Sequence, residues 1–539
     1  MEDKPFAITL DVGTSRANHT GSWRTERPIY ADHIPPCNAA CPAGEDIQGW
    51  LYLAEEGRYR EAFESLTQNN PMPAVMGRVC YHPCETACNR AKIDHAVGIN
   101  AVERFLGDEA IRQGWRFPKP ATRSGKRVLV IGAGPSGLAT AYHLARRGHD
   151  VTIKEAGPMA GGMMRFGIPK YRLPREILDA EIQRILDLGV TLELNAKVEN
   201  VREAMKGFDA AFLAIGAQLA KRAYVPAAQG AKILDAVSVL RSMEGAEKPM
   251  LGRKVVVYGG GNTAIDVART ARRLGAAETL IVYRRTRDRM PAHDFEVEEA
   301  IEEGVLLKWL STITHAEDGK LTIEKMVLDE KGFPQPTGEF ETLEADSLIL
   351  ALGQDVDLGL IKDVPGLATK DGVTVDASMM TGLPGLFAGG DAVPAERTVT
   401  VAMGHGKKAA ANIDAFLKGA VYRKPDPHGE AAFEHLNTWY YTDAPHQVRA
   451  KLEAALRVDG FAEVVQGLDA ETALFEARRC LSCGNCFECD NCYGVCPDNA
   501  IIKLGAGNRY RIDYDFCKGC GLCAHECPCG AIDMVPEEI

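Results

Sequence analysis

The residues best equipped for chemistry in this chain are its cysteines. There are sixteen, five between positions 37 and 88 and eleven between 480 and 529, with none between. Near the end the spacing is Cys486-x2-Cys489-x2-Cys492-x3-Cys496-Pro, followed by Cys517-x2-Cys520-x2-Cys523-x3-Cys527-Pro. This is the ligand run of a pair of 4Fe-4S cubes, in which the fourth cysteine of each run crosses to the other cube. Cys486, Cys489, Cys492 and Cys527 are therefore expected to hold one cube, and Cys496, Cys517, Cys520 and Cys523 the second. Structural zinc is the alternative that C-x2-C pairs raise, but the x3-Cys-Pro endings do not suit a tetrahedral zinc site.

The early cysteines are spaced differently. Pro36-Cys37-x3-Cys41-Pro42 precedes a helical stretch over 47–66, and Gly77-Arg-Val-Cys80-x3-Cys84-x3-Cys88 follows. A helical hairpin would bring the two groups together, and thiolates at i and i+4 share one face of a turn, so each group can offer sulfurs to one cube. Buried, inert cysteines are the other reading. Five cysteines do not fill two sites.

Glycine-rich loops supply the second kind of chemistry. An apolar strand over 127–131 runs into Gly132-Ala-Gly134-Pro135-Ser136-Gly137, and helical composition follows to 147. Gly132 makes the tight turn, Gly134 lets a phosphate approach the backbone, Gly137 lets helix and strand pack closely, and the helix N-terminus favours the negative charge of a dinucleotide pyrophosphate. Glu155 ends the next strand, where a carboxylate can take two ribose hydroxyls. The design recurs at 255–258, running into Gly259-Gly-Gly261-Asn262-Thr263-Ala264. Its next strand ends in Arg284-Arg285, with Arg287 and Arg289 beyond. Arginine there suits a 2′-phosphate, so NADP(H) is favoured, with NAD(H) left open.

Several segments carry a family resemblance. Ala39-Ala-Cys-Pro-Ala-Gly, Asn70-Pro, Gly77-Arg-Val-Cys and Pro83-Cys-Glu-Thr-Ala-Cys88 resemble the small subunit of glutamate synthase and the N-terminal part of dihydropyrimidine dehydrogenase. The resemblance implies two 4Fe-4S cubes in this domain. Cys41, Cys80 and Cys84 would hold one, with Glu103 as a non-cysteine oxygen ligand. Cys37 and Cys88 would serve the other, but the family's upstream Arg-Cys-x-x-Cys is missing here. Arg479-Cys480-Leu-Ser-Cys483 looks like that motif, so Cys480 and Cys483 are expected to complete the site. The count becomes four cubes, fifteen cysteines and Glu103, with Cys529 free and the C-terminal domain tied to the N-terminal one.

The two dinucleotide loops look like the two-dinucleotide flavoprotein disulfide-reductase architecture, with a nicotinamide domain inserted into an FAD domain. By that resemblance residues 161–174, including Gly162, lie along the flavin. Gly390-Asp391 contacts its ribityl chain, and a helix over 398–411 starts at the isoalloxazine. No C-x-x-C lies near the first loop, so flavin-to-disulfide chemistry is excluded. A nicotinamide exchanges a hydride and a cube one electron, and only a flavin does both. No Ser, His and Asp constellation appears, and no catalytic side chain is assigned.

At 539 residues and net charge −12, the chain should form roughly three or four domains. The expected fold is α/β: an N-terminal arm and helical iron–sulfur domain (1–123), an FAD domain in two parts (124–245 and 346–425), an inserted Rossmann-like NAD(P) domain (246–345), a connector without ligands (426–479), and an α+β two-cluster ferredoxin domain (480–539). The arm up to residue 32 is given no function. No basic run favours a nucleic-acid or anionic-membrane partner, and no 18-residue apolar stretch or signal-peptide start is present, so a cytoplasmic location is expected.

Asp515-Phe-Cys-Lys-Gly-Cys-Gly-Leu-Cys-Ala-His-Glu-Cys-Pro and Ala531-Ile-Asp-Met-Val resemble the ferredoxin-type subunit of 2-oxoacid oxidoreductases. That resemblance implies an electron-transfer subunit serving thiamine-diphosphate, substrate-oxidising subunits. The alternatives are a free-standing NAD(P)H:ferredoxin oxidoreductase acting on soluble ferredoxin, a glutamate synthase small subunit, and a non-catalytic iron–sulfur scaffold.

Overall fold

The computed structural model describes residues 19–221, 225–228, 230–423 and 428–537. The part of the expected arm before residue 19 lies outside them. Arg127–Ile131 is buried from its second residue onward and sits in the middle of a five-stranded sheet. Its order is 386–388, 210–213, 127–131, 150–154, 191–193, with every pairing parallel. Strands buried on both faces must be apolar throughout, as Ala210–Leu213 is. The helices Pro135–Arg146 and Val399–Leu417 pack on this sheet and bury its edge-to-edge core.

A second five-stranded parallel sheet has the order 306–308, 278–282, 254–258, 347–350, 233–235. It is joined by a three-stranded antiparallel sheet formed by Ser311–Glu317, Lys320–Leu328 and Pro334–Glu344. The expected boundaries at 246 and 345 therefore need correction: Ile233–Asp235 and Ser347–Leu350 both belong to the nicotinamide-side sheet. A short buried apolar run reads as a central strand wherever it falls, and its periodicity does not say which sheet receives it. The two chain crossings between the sheets pair with each other, Gln354 with Ala220 and Asp355 with Leu219.

The N-terminal domain is helical. The expected stretch over 47–66 is two helices, Ile47–Glu55 and Tyr59–Leu66, and Asp46 caps the first by accepting from Gly49 N at 3.2 Å. Ile99–Arg112 packs with them around Trp50, Leu51, Phe105 and Leu106, Pro73–Val79 buries Val75 and Met76 in the flavin-side core, and the short helices Pro36–Ala40 and Pro83–Thr86 carry Cys37 and Cys84.

Two segments differ from their expected roles. The strand Glu26–Tyr30, within the supposed arm, pairs antiparallel with Ile532–Pro536 at the other end of the chain. The ferredoxin domain is thus closed by residues that precede it by about five hundred positions. Arg24 fastens the ladder, donating to the carbonyls of Tyr514 (2.5 Å) and Cys517 (2.9 Å) and pairing with Glu537 (2.5 Å). The connector clamps three units together. Glu463 pairs with Arg78 (2.7 Å) and Arg104 (3.0 Å), Val464 N donates to Tyr171 O (3.0 Å), and Lys451 and Arg457 pair with Glu299 (2.9 Å) and Glu302 (2.7 Å). Among the described residues no helix is long and apolar enough to cross a membrane.

Arg24→Ala leaves two carbonyls and Glu537 without their donor, a local cost of about 2 kcal/mol. Amide hydrogen exchange in the strand 532–536 should then accelerate roughly 30-fold; unchanged exchange would mean the ladder stands without this fastening.

Candidate functional site

A cleft of about 1110 Å³ opens between the two parallel sheets and is lined by both glycine loops. On one side are Gly132, Gly134, Pro135, Ser136, Glu155, Gly162, Gly390 and Asp391. Gly132 has φ +107°, and a Cβ there would lie 2.4 Å from Ala214 O. A Cβ on Gly137 would lie 2.1 Å from Gly132 O, so helix and turn touch. Gly134 differs: its Cβ would meet nothing nearer than Gly162 Cα at 3.9 Å. That open space beside a helix N-terminus is what a pyrophosphate requires. Glu155 is held at the mouth by two backbone donors, Ala133 N and Gly157 N, each at 2.8 Å. Burial pushes the Asp391 carboxyl up, opposed by Arg397. Thr398 caps the helix Val399–Leu417, whose first turn also faces the cleft. These residues fit a bound FAD.

Gly261, Asn262 and Thr263 face the same cleft from the nicotinamide-side helix, Gly259 forms its turn, and Ala264 is buried in the helix. Asn262 is engaged at both ends, donating to Tyr81 Oη at 2.7 Å and accepting from His293 N at 3.1 Å. Tyr81 also stacks on His293, ring centroids 3.7 Å apart. Arg284 is exposed and Arg285 half-buried, and among the described residues neither makes an ion pair, whereas Arg287 pairs with Glu298. Arg285 lies 5.9 Å from the Phe333 ring.

One part of the cleft had no sequence signal. Arg172, from the 161–174 stretch, reaches Asp266 (2.8 Å) and Glu296 (2.5 Å) on the nicotinamide side. This buried group of three joins the two dinucleotide units across the cleft, and burial pushes the Glu296 carboxyl up against the pull of Arg172. No motif marks it, because the partners lie on separate elements.

The cysteines form four groups. Cys84 lies in electrostatic range of Cys80, Cys41 and Glu103. Cys37, Cys88, Cys480 and Cys483 line one apolar pocket with Pro36, Leu51, Val97 and Ile99. Cys492 faces Cys486, Cys489 and Cys527, and Cys496, Cys517, Cys520 and Cys523 line another pocket. The Arg479 guanidinium docks the second group, donating to Ala444 O, Ala96 O, Glu476, Asp94 and His95 O. Cys529 is buried, its sulfur 3.7 Å from that of Cys527.

Burial pushes the Cys41, Cys80 and Cys523 thiols up to about 12. A thiol in that setting ionises only when a metal replaces its proton. Backbone donors already aim at the sulfurs: His82 N at Cys80 (3.4 Å), Ser482 N at Cys480 (3.4 Å), Ala500 N at Cys496 (3.2 Å) and Ala531 N at Cys527 (3.3 Å). Among the described residues no three His, Cys, Asp or Glu side chains gather around a single-ion site. Three groups of four cysteines and one of three cysteines with Glu103 have the donor sets that suit iron–sulfur cubes. Asn70, part of a family-like segment but without an expected role, donates through its amide nitrogen to both Glu103 (2.7 Å) and the buried Glu45 (3.0 Å).

This combination defines a class, nucleotide-dependent flavoproteins with attached iron–sulfur domains. Residues 125–406 match the pyridine nucleotide-disulphide oxidoreductase family, and the chain belongs to it. Residues 22–115 match the 4Fe-4S domain II of dihydropyrimidine dehydrogenase, and 485–531 a 4Fe-4S dicluster domain. The chain is similar to the NADP(+)-dependent formate dehydrogenase subunit beta of Moorella thermoacetica, 36% identical over 83% of this chain and 70% of the relative. The NADPH-Fe(3+) oxidoreductase subunit beta of Geobacter sulfurreducens is 34% identical over 84% and 75%. The small chain of Escherichia coli glutamate synthase [NADPH] is 33% identical over 71% and 89%. The chain is an NAD(P)- and FAD-dependent iron–sulfur oxidoreductase.

Two substitutions separate fold from site. Gly134→Val has an allowed backbone (φ −79°) but fills the pyrophosphate space; the purified protein should keep its far-ultraviolet circular dichroism and lose its flavin. Cys480→Ser should lower the iron content by about one cube, four irons per chain. Unchanged iron would remove Cys480 from the ligands.

Proposed function

We propose that the chain is the electron-transfer subunit of a larger oxidoreductase, exchanging a hydride with NADP(H) at the cleft and single electrons with four cubes. Bound flavin supplies the exchange between two-electron and one-electron chemistry. The ligand sets are Cys41, Cys80, Cys84 and Glu103; Cys37, Cys88, Cys480 and Cys483; Cys486, Cys489, Cys492 and Cys527; and Cys496, Cys517, Cys520 and Cys523.

Contiguity carries this reading. Thr400, in the first turn of the flavin-side helix, donates to Cys80 Sγ at 3.1 Å, and Val79 and Tyr81 on either side of Cys80 line the cleft. From there each group is joined to the next by a few residues: Cys37 to Cys41 and Cys84 to Cys88, then Cys483 to Cys486, then Cys492 to Cys496 and Cys523 to Cys527. The order runs from the cleft to the group of Cys520, and each of the last two groups has one exposed cysteine, Cys489 and Cys520.

The partner is proposed to be a set of thiamine-diphosphate subunits that oxidise a 2-oxoacid, supported by the resemblance of the 515–535 segment. A formate-oxidising partner is the second reading, favoured by the Moorella relative matched over most of the chain. Free thiolate ligands suit a reducing compartment, which supports the cytoplasm. Anaerobic affinity purification of the tagged chain from its own cell, with mass spectrometry of what accompanies it, tests both: thiamine-diphosphate-binding subunits support the first, a formate-oxidising subunit replaces it with the second, and a chain recovered alone with flavin and iron overturns the subunit role.

Arg284 and Arg285 are proposed to hold the 2′-phosphate, having no competing ion pair among the described residues. Replacing both with alanine should cut kcat/KM for NADPH by about tenfold to a hundredfold and leave that for NADH nearly unchanged. Equal losses with both nucleotides would contradict this assignment.

A further inference from the structure

A hydroxyl from the N-terminal strand reaches a sulfur in the C-terminal domain. Tyr30 Oη lies 3.2 Å from Cys492 Sγ, across 462 positions of sequence. The side chain is aimed there by its surroundings. Tyr30 ends the strand Glu26–Tyr30 and pairs with Ile532. Its ring stacks on Tyr510 at 6.1 Å and an interplanar angle of 22°. Tyr510 is itself fixed by Asp490, donating to its Oδ1 at 2.7 Å and accepting from its N–H at 3.0 Å.

Backbone N–H groups reach sulfurs of both ferredoxin-domain groups, Ala531 N at Cys527 and Ala500 N at Cys496 among them, and Cys529 Sγ lies 3.7 Å from Cys527 Sγ. The group containing Cys492 has the tyrosine hydroxyl in addition. A cysteine bound to iron carries no proton, so the hydroxyl is the donor. A donor at a ligating sulfur stabilises the more negative, reduced form of a cube more than the oxidised form, and so raises its reduction potential.

We propose that Tyr30 is a positioning residue that raises the reduction potential of the cube held by Cys486, Cys489, Cys492 and Cys527, so that an electron settles on this inner cube in preference to where it would rest without the hydroxyl. The proposal rests on the ligand sets given above. It also gives the N-terminal strand a role beyond closing a sheet: the segment that completes the fold delivers the group that tunes the centre.

The test uses the full chain with its cubes assembled anaerobically, and reads midpoint potentials by electron paramagnetic resonance. Tyr30→Phe keeps the ring and removes the donor. One midpoint should move to a more negative value while the others stay, with iron per chain unchanged. Tyr30→His, which keeps a ring donor, should restore part of the shift. Unchanged potentials in Tyr30→Phe at full iron content would overturn the proposal, and so would iron loss in both variants, which would make Tyr30 a folding residue only. Cys492→Ser separates failure of the ligand set from failure of the tuning. If it leaves every cube signal and the iron content intact, the ligand set is wrong; if it disturbs one cube while Tyr30→Phe changes nothing, only the tuning role falls.

Discussion

Four sulfurs contributed by opposite ends of the chain must be buried side by side, and much of the architecture follows from that constraint. Cys37 and Cys88 come from the N-terminal helical domain, Cys480 and Cys483 from the approach to the ferredoxin domain, and all four line one apolar pocket. Burial holds the Cys37 thiol well above its ordinary value, with Cys480, Cys88 and Cys483 adding to the effect. Thiolates there are tolerable only around a cation. The halves must therefore dock firmly. Arg479 spends its whole guanidinium on this, and Arg90 adds bonds to Asp94, Thr442 O and Arg479 O. Arg90, helped by the backbone N–H groups of Ala444 and His95, holds the Asp94 carboxyl well below the usual range. The strand pairing of 26–30 with 532–536 and the bond from Gly484 N to Cys529 O (2.6 Å) serve the same closure.

The cleft obeys a related rule. Two parallel sheets with the same strand–turn–helix entry face each other, and a nicotinamide ring must reach a flavin ring between them. The buried Arg172, Asp266 and Glu296 cluster and the clamps through Glu463, Lys451 and Arg457 hold the nicotinamide side against both other domains. Removing one partner from such a buried group would cost more than the intact group contributes, because the remaining charge is left unpaired. The same clamps keep the 80–82 segment at the junction of all three units. Cys80 meets the flavin-side helix there, and Tyr81 meets the nicotinamide side.

The parts of this arrangement that were legible in the sequence are those set by local spacing. A glycine loop between an apolar strand and a helix, and cysteines at fixed intervals, carry their geometry with them. The gathering of Cys480 and Cys483 with Cys37 and Cys88 was anticipated, but only by likeness to a displaced motif. Long-range pairing was not legible. Glu-Arg-Pro-Ile-Tyr has too few apolar residues and a proline, a pattern that fits an edge strand only once its partner is known. Residues 233–235 and 347–350 fall by sequence in the two parts of the FAD domain but join the nicotinamide-side sheet, because a short apolar run does not report which sheet receives it. Arg172, Asn70 and Tyr30 act through neighbours distant in sequence, and no single-chain periodicity reports such contacts.

The central claim is that one chain holds a flavin and four cubes in electrical series. A coulometric titration of the anaerobic, fully loaded chain tests it most directly, counting electrons taken up while flavin and iron–sulfur absorbance are followed. The account predicts about six electron equivalents per chain, two for the flavin and one for each cube, with NADPH able to reduce flavin and cubes alike. Uptake of about five or fewer by the loaded chain, or cubes that NADPH leaves oxidised after the flavin has bleached, would contradict it.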